Sequence, residues 1–235
     1  MISNSLFPAM LMLILSGSCS QTSCNAQKQS SDKSQKVGGG CEGCEAIYES
    51  TVPFKLLKNV DTLPDFNERG PKLKISGTVY KADGKTPASN VVVYIYHTDQ
   101  TGNYSRKGNE KGWGKRHGYI RGWVRTNGDG QYTFYTLRPA PYPCRNNPAH
   151  IHCVIKEENL NEYYIDEFLF ADDPLVTDKE RSQEHPGGNG IIQLQKQHEM
   201  LIGNRDIFLG RNIKNYPVSN GSSYISLMSF LVFSS

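Results

Sequence analysis

Short apolar and aromatic runs separated by turn-forming residues fill the middle of this chain and constrain its fold more than any other feature. Runs such as "LKISGTVY" and "VVVYIYH" alternate in polarity or are rich in β-branched and aromatic residues, which favours strands. Segments between them, such as "KADGKTPASN" and "NGDG", favour turns. With no clear helical period, this pattern predicts an all-β fold, an antiparallel β-sandwich or barrel. The predicted strands cover residues 73–80, 91–97, 119–126, 131–137, 150–156 and 164–170.

The residues after these strands are expected to complete the domain. "TDKERSQEH" predicts one helical turn because Thr177 and Glu180 have the spacing of a capping box. "GIIQLQ" and "RDIFLG" then predict two closing strands, and the domain is expected to end near Pro217. The apolar stretch 218–235 is shorter than a membrane-spanning helix and is left unassigned.

The first residues have the pattern of an export signal. An apolar run too short to span a bilayer is followed by small residues and Cys19. Residues 1–18 are therefore predicted to be a signal peptide. It is either of the lipoprotein type, which leaves a lipidated Cys19 for membrane attachment, or one removed by ordinary signal peptidase. We expect an extracytoplasmic protein, a membrane-anchored lipoprotein or else a periplasmic or secreted one.

Composition and charge indicate how the chain is organised after this signal and which partners are expected. Residues 19–45, rich in Ser, Gln, Lys and Gly, predict a flexible linker before a single domain over residues 46–217. In the linker's last residues, "CEGC" places Cys41 and Cys44 where they can form a disulfide after export or remain unpaired. The net charge of +3 comes from interspersed residues, so no nucleic-acid partner is expected.

Two histidines on one predicted strand form the first candidate site. Alternation along "HIHCVIK" places His150 and His152 on one face and apolar residues on the other, so both imidazoles can bind one metal ion. Tyr142 lies in the proline-restricted loop "PAPYP", and Tyr104 lies in a loop after a strong strand. Phenolate oxygens are hard anionic ligands suited to ferric iron.

At these residues the chain resembles a known family. "SGTVYKADGKTPASNVVVYIYHTDQTGNY", "VRTNGDGQYTFYTLRPAPYP" and "PAHIH" occur in the order found in intradiol ring-cleavage dioxygenases. The resemblance implies a Greek-key antiparallel β-sandwich with long loops and little helix. It also implies an enzyme that takes part in the degradation of aromatic compounds. It also implies non-haem Fe(III) held by Tyr104, Tyr142, His150 and His152, with Tyr142 catalytic as the acceptor of a substrate proton. The implied substrates are a small aromatic diol and O2, the implied product is a muconate-type diacid, and a homodimer is expected.

The chain departs from the family pattern at two positions of the substrate pocket. Asn147 stands where family members commonly carry an arginine, and Glu167 stands where they carry a glutamine. Arg145, also in the loop before His150, is the candidate to replace the missing arginine as a catalytic residue. These departures leave open which catechol-type substrate is used.

Other functions remain open from the sequence. The segment "LKISGTVYKADGKTPASNVVVYIYHT" also resembles transthyretin-like and carboxypeptidase-regulatory-like β-sandwiches, which are non-catalytic binding modules on exported proteins. In such a module the four candidate iron ligands would have no shared function, and their occurrence together in the sequence would be accidental. Two intermediate alternatives are an iron-binding protein without the usual turnover, and a zinc site that uses His150, His152 and Glu167 but neither tyrosine.

Overall fold

A computed structural model describes residues 36–182 and 184–217 of the chain. Eleven strands and two short helices are assigned within these ranges, together with 3-10 helices at Cys44–Glu49 and Phe54–Leu56. The α-helices are α1 (Gly114–His117) and α2 (Asp178–Ser182). The strands are β1 (Val60–Thr62), β2 (Lys72–Tyr80), β3 (Val92–His97), β4 (Arg121–Arg125), β5 (Gln131–Leu137), β6 (His150–Lys156), β7 (Tyr163–Phe170), β8 (Ile191–Ile192), β9 (Gln195–Gln197), β10 (Met200–Asn204) and β11 (Ile207–Phe208).

The strands form two sheets of a β-sandwich. The first sheet has the order β1-β5-β2-β10-β9, with β11 also paired to β2, and the second has the order β4-β3-β6-β7-β8. All pairings of the long strands, β2 with β5, β4 with β3, β3 with β6 and β6 with β7, are antiparallel. Four other pairings are parallel, those of β1 with β5, β10 with β2, β11 with β2 and β8 with β7. The predicted β-sandwich is confirmed, and both sheets also contain parallel pairs.

Alternation along the long strands creates the core between the sheets. Leu73, Ile75 and Val79 of β2 point inward and are fully buried, as are Ile151 and Cys153 of β6. All five belong to one apolar cluster. The histidines of β6 therefore occupy the outer face of the second sheet, as the alternation predicts.

The helical turn expected at residues 177–185 begins at the predicted cap. The Thr177 hydroxyl accepts from the Glu180 backbone N–H at 3.2 Å, and the Glu180 carboxylate accepts from the Thr177 N–H at 2.7 Å. These two bonds form a capping box. The sequence did not predict the four residues of α1.

The predicted strand "GIIQLQ" is interrupted in the structure. Only Ile191–Ile192 pair with β7, and Gln195–Gln197 pair with β10 in the other sheet. The chain crosses between the two sheets within this stretch, so a single period cannot describe it. The strands β1 and β10 were not predicted, because their parallel partners are distant in the sequence.

Residues 36–45 differ from the predicted flexible linker. Val37 is only 6% exposed and packs in the main core, and the Gly38 N–H donates to the Lys214 carbonyl at 2.8 Å. A disulfide joins Cys41 to Cys44. The folded part of the chain therefore begins before residue 46. The predicted signal peptide, Cys19, linker residues 19–35 and stretch 218–235 lie outside the described residues. Among the residues described, no helix has the length and apolar character needed to cross a membrane.

Candidate metal centre

The two histidines of the candidate site project from β6. His150 is buried and His152 is partly buried, and both lie on the outer face of the second sheet. Each imidazole has its Nδ1 close to an oxygen. His150 Nδ1 lies 2.8 Å from the Pro148 carbonyl oxygen, and His152 Nδ1 lies 3.0 Å from Glu167 Oε1. Because these oxygens accept from an Nδ1–H group, each histidine presents the lone pair of Nε2 to the site.

Tyr104 lies in a loop that Asp99 organises. Asp99 Oδ1 accepts from the backbone N–H groups of Thr101 at 2.7 Å and Asn103 at 3.1 Å. Asp99 Oδ2 accepts from the hydroxyl of Ser105. One carboxylate therefore binds residues on both sides of Tyr104 and holds the loop in a single shape.

The loop that carries Tyr142 packs against the Tyr104 loop. The Thr98 hydroxyl donates to the Ala140 carbonyl at 2.6 Å, and the Ala140 N–H donates to the Asp99 carbonyl at 3.2 Å. Gly102 has φ of +77°, and a Cβ added there would lie 2.1 Å from the Pro141 carbonyl oxygen. Only glycine permits this approach of the two loops.

The four side chains converge on one point. The hydroxyls of Tyr104 and Tyr142 are hydrogen-bonded to each other. His152 Nε2 lies 2.7 Å from Tyr104 Oη and 3.2 Å from Tyr142 Oη. His150 Nε2 also lies 3.2 Å from Tyr142 Oη. Two phenolic oxygens and two imidazole nitrogens thus form a compact donor set of the kind that a hard trivalent cation such as Fe(III) accepts.

The electrostatics of these groups depend on burial. Burial lowers the pKa of His150, which favours the neutral, metal-binding imidazole. Burial also raises the pKa of Tyr104, as does its hydrogen bond with Tyr142, and burial raises the pKa of Tyr142. The protein alone therefore keeps both tyrosines as phenols, and a bound cation would favour their phenolate forms.

Glu167 lies beside both histidines. Its Oε1 is 3.0 Å from His152 Nδ1 and 4.0 Å from His150 Nε2. Burial acts to raise the pKa of Glu167, but the hydrogen bond from His152 and the positive charge that either histidine carries when protonated lower this pKa to about 2. One donor atom from each of His150, His152 and Glu167 lies within 4.8 Å of the other two, which is the geometry that the zinc alternative requires.

Asn147 and Arg145 occupy different positions around the site. Asn147 lies behind His150, with its Nδ2 3.5 Å from His150 Nδ1, and its Oδ1 is buried without a partner. Arg145 is exposed, and its guanidinium lies 5.6 Å from the centre of the Tyr142 ring. A cationic side chain therefore reaches Tyr142 from a position two residues before Asn147.

Sequence reasoning missed the aromatic residues that pack against His152. The Tyr96 ring stacks on His152 at 4.5 Å, and the His117 ring stacks on Tyr96 at 3.7 Å. Tyr164 places its hydroxyl 3.4 Å from His152 Nδ1. Tyr96 pairs directly with His152 across β3 and β6, so alternation within "VVVYIYH" could have identified it once that pairing was known.

Comparison with known sequences identifies dioxygenases that are similar to this chain. A sequence profile for the family described as "Dioxygenase" matches residues 55–200. The chain is 30% identical over 189 residues to catechol 1,2-dioxygenase 1 of Acinetobacter lwoffii, covering 71% of this chain and 58% of that protein. It is 26% identical over 113 residues to the protocatechuate 3,4-dioxygenase beta chain of Burkholderia cepacia, covering 46% of this chain and 48% of that protein. The chain spans about half the length of the curated relatives it matches.

Solved structures agree on the fold. A crystal structure of a point mutant of Acinetobacter radioresistens catechol 1,2 dioxygenase matches with a TM-score of 0.50 at 16% identity. The match covers 70% of this chain and 60% of that chain. At this level of identity the likeness shows a shared β-sandwich and nothing further.

Proposed function

We propose, from the premise that this chain belongs to the intradiol ring-cleavage dioxygenase family, that it cleaves a catechol-type ring between its two hydroxyls with O2. The product would be a muconate-type diacid. The observation that carries this proposal is the convergence of Tyr104, Tyr142, His150 and His152. In a non-catalytic binding module these side chains would have no reason to meet, so the convergence favours the enzyme.

The four side chains would hold non-haem Fe(III) through two phenolic oxygens and two imidazole nitrogens. When bound, the ferric ion would act as a Lewis acid toward a chelating diol and make its ring reactive toward O2. The protein's contribution is to aim the ligands, since Pro148 and Glu167 fix the histidines and Asp99 fixes the Tyr104 loop.

Tyr142, in the phenolate form that a bound ferric ion would favour, is the proposed proton acceptor for the incoming diol. It is less buried than His150, and its hydroxyl contacts both Tyr104 and His150. The Arg145 guanidinium over its ring acts to lower the pKa of Tyr142, against the larger effect of burial. We therefore propose that Arg145 stabilises the negative charge that passes between substrate and Tyr142. We also propose that Asn147, a neutral side chain beside His150, belongs to the substrate pocket.

Iron loading followed by absorption spectroscopy and oxygen uptake tests this function. The iron-loaded protein should show a visible phenolate-to-iron charge-transfer band, and Tyr104→Phe or Tyr142→Phe should weaken it. Tyr80→Phe is the matched control, because Tyr80 stacks on Phe208 in the other sheet. Oxygen uptake should occur with at least one of catechol, protocatechuate and hydroxyquinol. An iron-replete protein that consumes no oxygen with any of them would exclude the proposed reaction.

We also propose that the protein is exported and attached to a membrane through a lipidated Cys19, and that it works as a homodimer. The Cys41–Cys44 disulfide supports export, because disulfides persist in oxidising compartments. Labelled fatty acid should be incorporated into the wild type and lost in Cys19→Ala, whereas incorporation in both would exclude this anchor. Light scattering of the purified protein should give the mass of two copies. The mass of one copy would exclude the homodimer.

A further inference from the structure

An irregularity in the second sheet places Glu167 at the candidate site. Ile151 pairs with Phe168 and Cys153 pairs with Ile165, so His152 alone lies opposite two residues, Asp166 and Glu167. Such a β-bulge shifts the alternation of β7 by one position. Phe168 and Ile165 can then both enter the core, and the Glu167 side chain lies on the outer face beside His152.

The carboxylate contacts the nitrogen of His152 that faces away from Tyr104 and Tyr142. Glu167 Oε1 lies 3.0 Å from Nδ1, while Nε2 of the same ring lies 2.7 Å from Tyr104 Oη. His150 has a neutral carbonyl, that of Pro148, at the equivalent nitrogen. A charged acceptor therefore lies behind His152 alone, and the Tyr164 hydroxyl also lies 3.4 Å from His152 Nδ1.

We propose that Glu167 is a positioning residue that accepts the Nδ1–H of His152, fixes its tautomer and aims its Nε2 at the phenolic oxygens of Tyr104 and Tyr142. A carboxylate behind a ligating imidazole raises the basicity of that ligand and stabilises the metal's higher charge state. The resembling enzymes carry a neutral glutamine at this position. With the Glu167 carboxylate instead, His152 would be a stronger electron donor to a bound metal than it would be beside an amide. The metal-dependent part of this inference rests on the proposed function, while the tautomer of His152 does not.

The competing role for Glu167 is that of a direct metal ligand together with the two histidines. Its Oε1 faces His152 through Nδ1, so a metal between these atoms would leave Nε2 of His152 and both tyrosines unused. In the positioning role, both phenolic oxygens and both Nε2 atoms remain available to bind the metal. The metal experiment below separates the two roles.

The first experiment uses metal-free protein and the 15N resonances of the His152 imidazole. At pH 8, above the usual histidine pKa, the wild type should show the Nδ1–H tautomer. Glu167→Gln should retain this tautomer, because its amide oxygen can still accept, and Glu167→Leu should shift His152 toward the Nε2–H form. Glu158→Gln, which removes an exposed carboxylate just after β6, is the matched control. Identical tautomers in the wild type and Glu167→Leu would overturn the proposal.

The second experiment uses the iron-loaded protein and has a readout other than activity. Glu167→Gln should move the charge-transfer band to lower energy, because the iron would become a stronger electron acceptor. Glu167→Leu should lower iron affinity by about 10–100-fold in competition with a chelator, and Glu158→Gln should change neither property. An unchanged band and affinity in both Glu167 variants would overturn the proposal.

Two further outcomes distinguish this inference from the proposed function. Binding of Zn²⁺ that is abolished by Glu167→Leu but unaffected by Tyr104→Phe would identify Glu167 as a ligand and overturn its positioning role. A wild type that takes up no iron would remove the proposed function, and the tautomer of His152 in metal-free protein would still decide the role of Glu167.

Discussion

At the scale of single residues, the site depends on two oxygens that contact the histidines at Nδ1, while the Nε2 atoms face the tyrosine hydroxyls. The sequence predicted that His150 and His152 share a face, because strand alternation is a local property. It could not predict that the Pro148 carbonyl and Glu167 occupy their Nδ1 atoms, because the second contact depends on a bulge in β7. Glu167 was expected in the pocket, but its hydrogen bond to His152 follows only from the register.

Gly102 is the residue at which the two tyrosine loops meet most closely. We predict that Gly102→Ala lowers the free energy of unfolding by about 2–4 kcal/mol, since the added Cβ meets the Pro141 carbonyl at 2.1 Å and φ is +77°. The loops carrying Tyr104 and Tyr142 should move apart, so iron should be lost more readily to a chelator. Urea unfolding and chelator competition measure these two effects.

Gly108 provides the matched control in the same part of the chain. Its φ is +95°, but an added Cβ would have no atom within 4 Å. Gly108→Ala should therefore cost only the backbone strain, about 1 kcal/mol, and should not change iron retention. Equal losses in the two variants would contradict the idea that loop contact at Gly102 supports the site.

At the scale of secondary-structure elements, the 3-10 helix at Cys44–Glu49 covers part of the outer face of the second sheet. The Trp123 indole N–H donates to the Ile47 carbonyl at 2.9 Å, and Arg121 pairs with Glu49 at 2.6 Å. Ile47 is fully buried in a cluster with Tyr94 and other outer-face residues. This element therefore converts an exposed sheet face into a second, smaller core.

Ile47 should consequently contribute to stability as a core residue does. We expect Ile47→Ala to lower the free energy of unfolding by about 2–4 kcal/mol through lost burial and the cavity left behind. Val52, five residues later, is 41% exposed, and Val52→Ala should change stability by less than about 0.5 kcal/mol. Denaturant titration of both variants measures the difference, and similar values would mean that the helix packs loosely on the sheet.

The elements that the sequence predicted well are those with a regular local period. The long antiparallel strands β2, β3, β5, β6 and β7 were found within two residues of their bounds, and the capping box of α2 was found by its spacing. The parallel strands β1 and β10 and the break within residues 190–195 were not found. Each depends on which distant strand is available as a partner, and no local pattern encodes that choice.

At the scale of the whole molecule, the sandwich buries several imidazoles that are not among the candidate ligands. His117 stacks on Tyr96 and accepts from the Tyr94 hydroxyl at Nδ1, at a distance of 2.8 Å. His97 is buried between the Thr98 carbonyl and the Thr136 hydroxyl. Their burial disfavours the protonated form, and this couples the stability of the fold to pH.

Whether stability rises or falls with pH follows from the pKa of each buried histidine in the folded protein and in the unfolded chain. Burial lowers the pKa of His117 from 6.5 to about 4, and burial also lowers the pKa of His97. Between pH 6.5 and 4 the unfolded chain therefore binds a proton at His117 that the folded protein does not bind. Stability should rise with pH across this window, and it should be lost as the pH falls from 6.5 toward 4.

Metal-free protein should accordingly lose about 1–2 kcal/mol of unfolding free energy through His117 alone between pH 6.5 and 4, after allowance for partial screening by solvent. His117→Asn should reduce the slope of stability against pH in this window, and a smaller slope should remain because His97 is still buried. His198→Asn is the control, since His198 is exposed and has a φ of +55° that asparagine tolerates. Urea titrations at half-unit pH intervals measure the slopes. A slope unchanged by His117→Asn would mean that His117 is protonated in the folded protein, which the contact from the Tyr94 hydroxyl to its Nδ1 opposes.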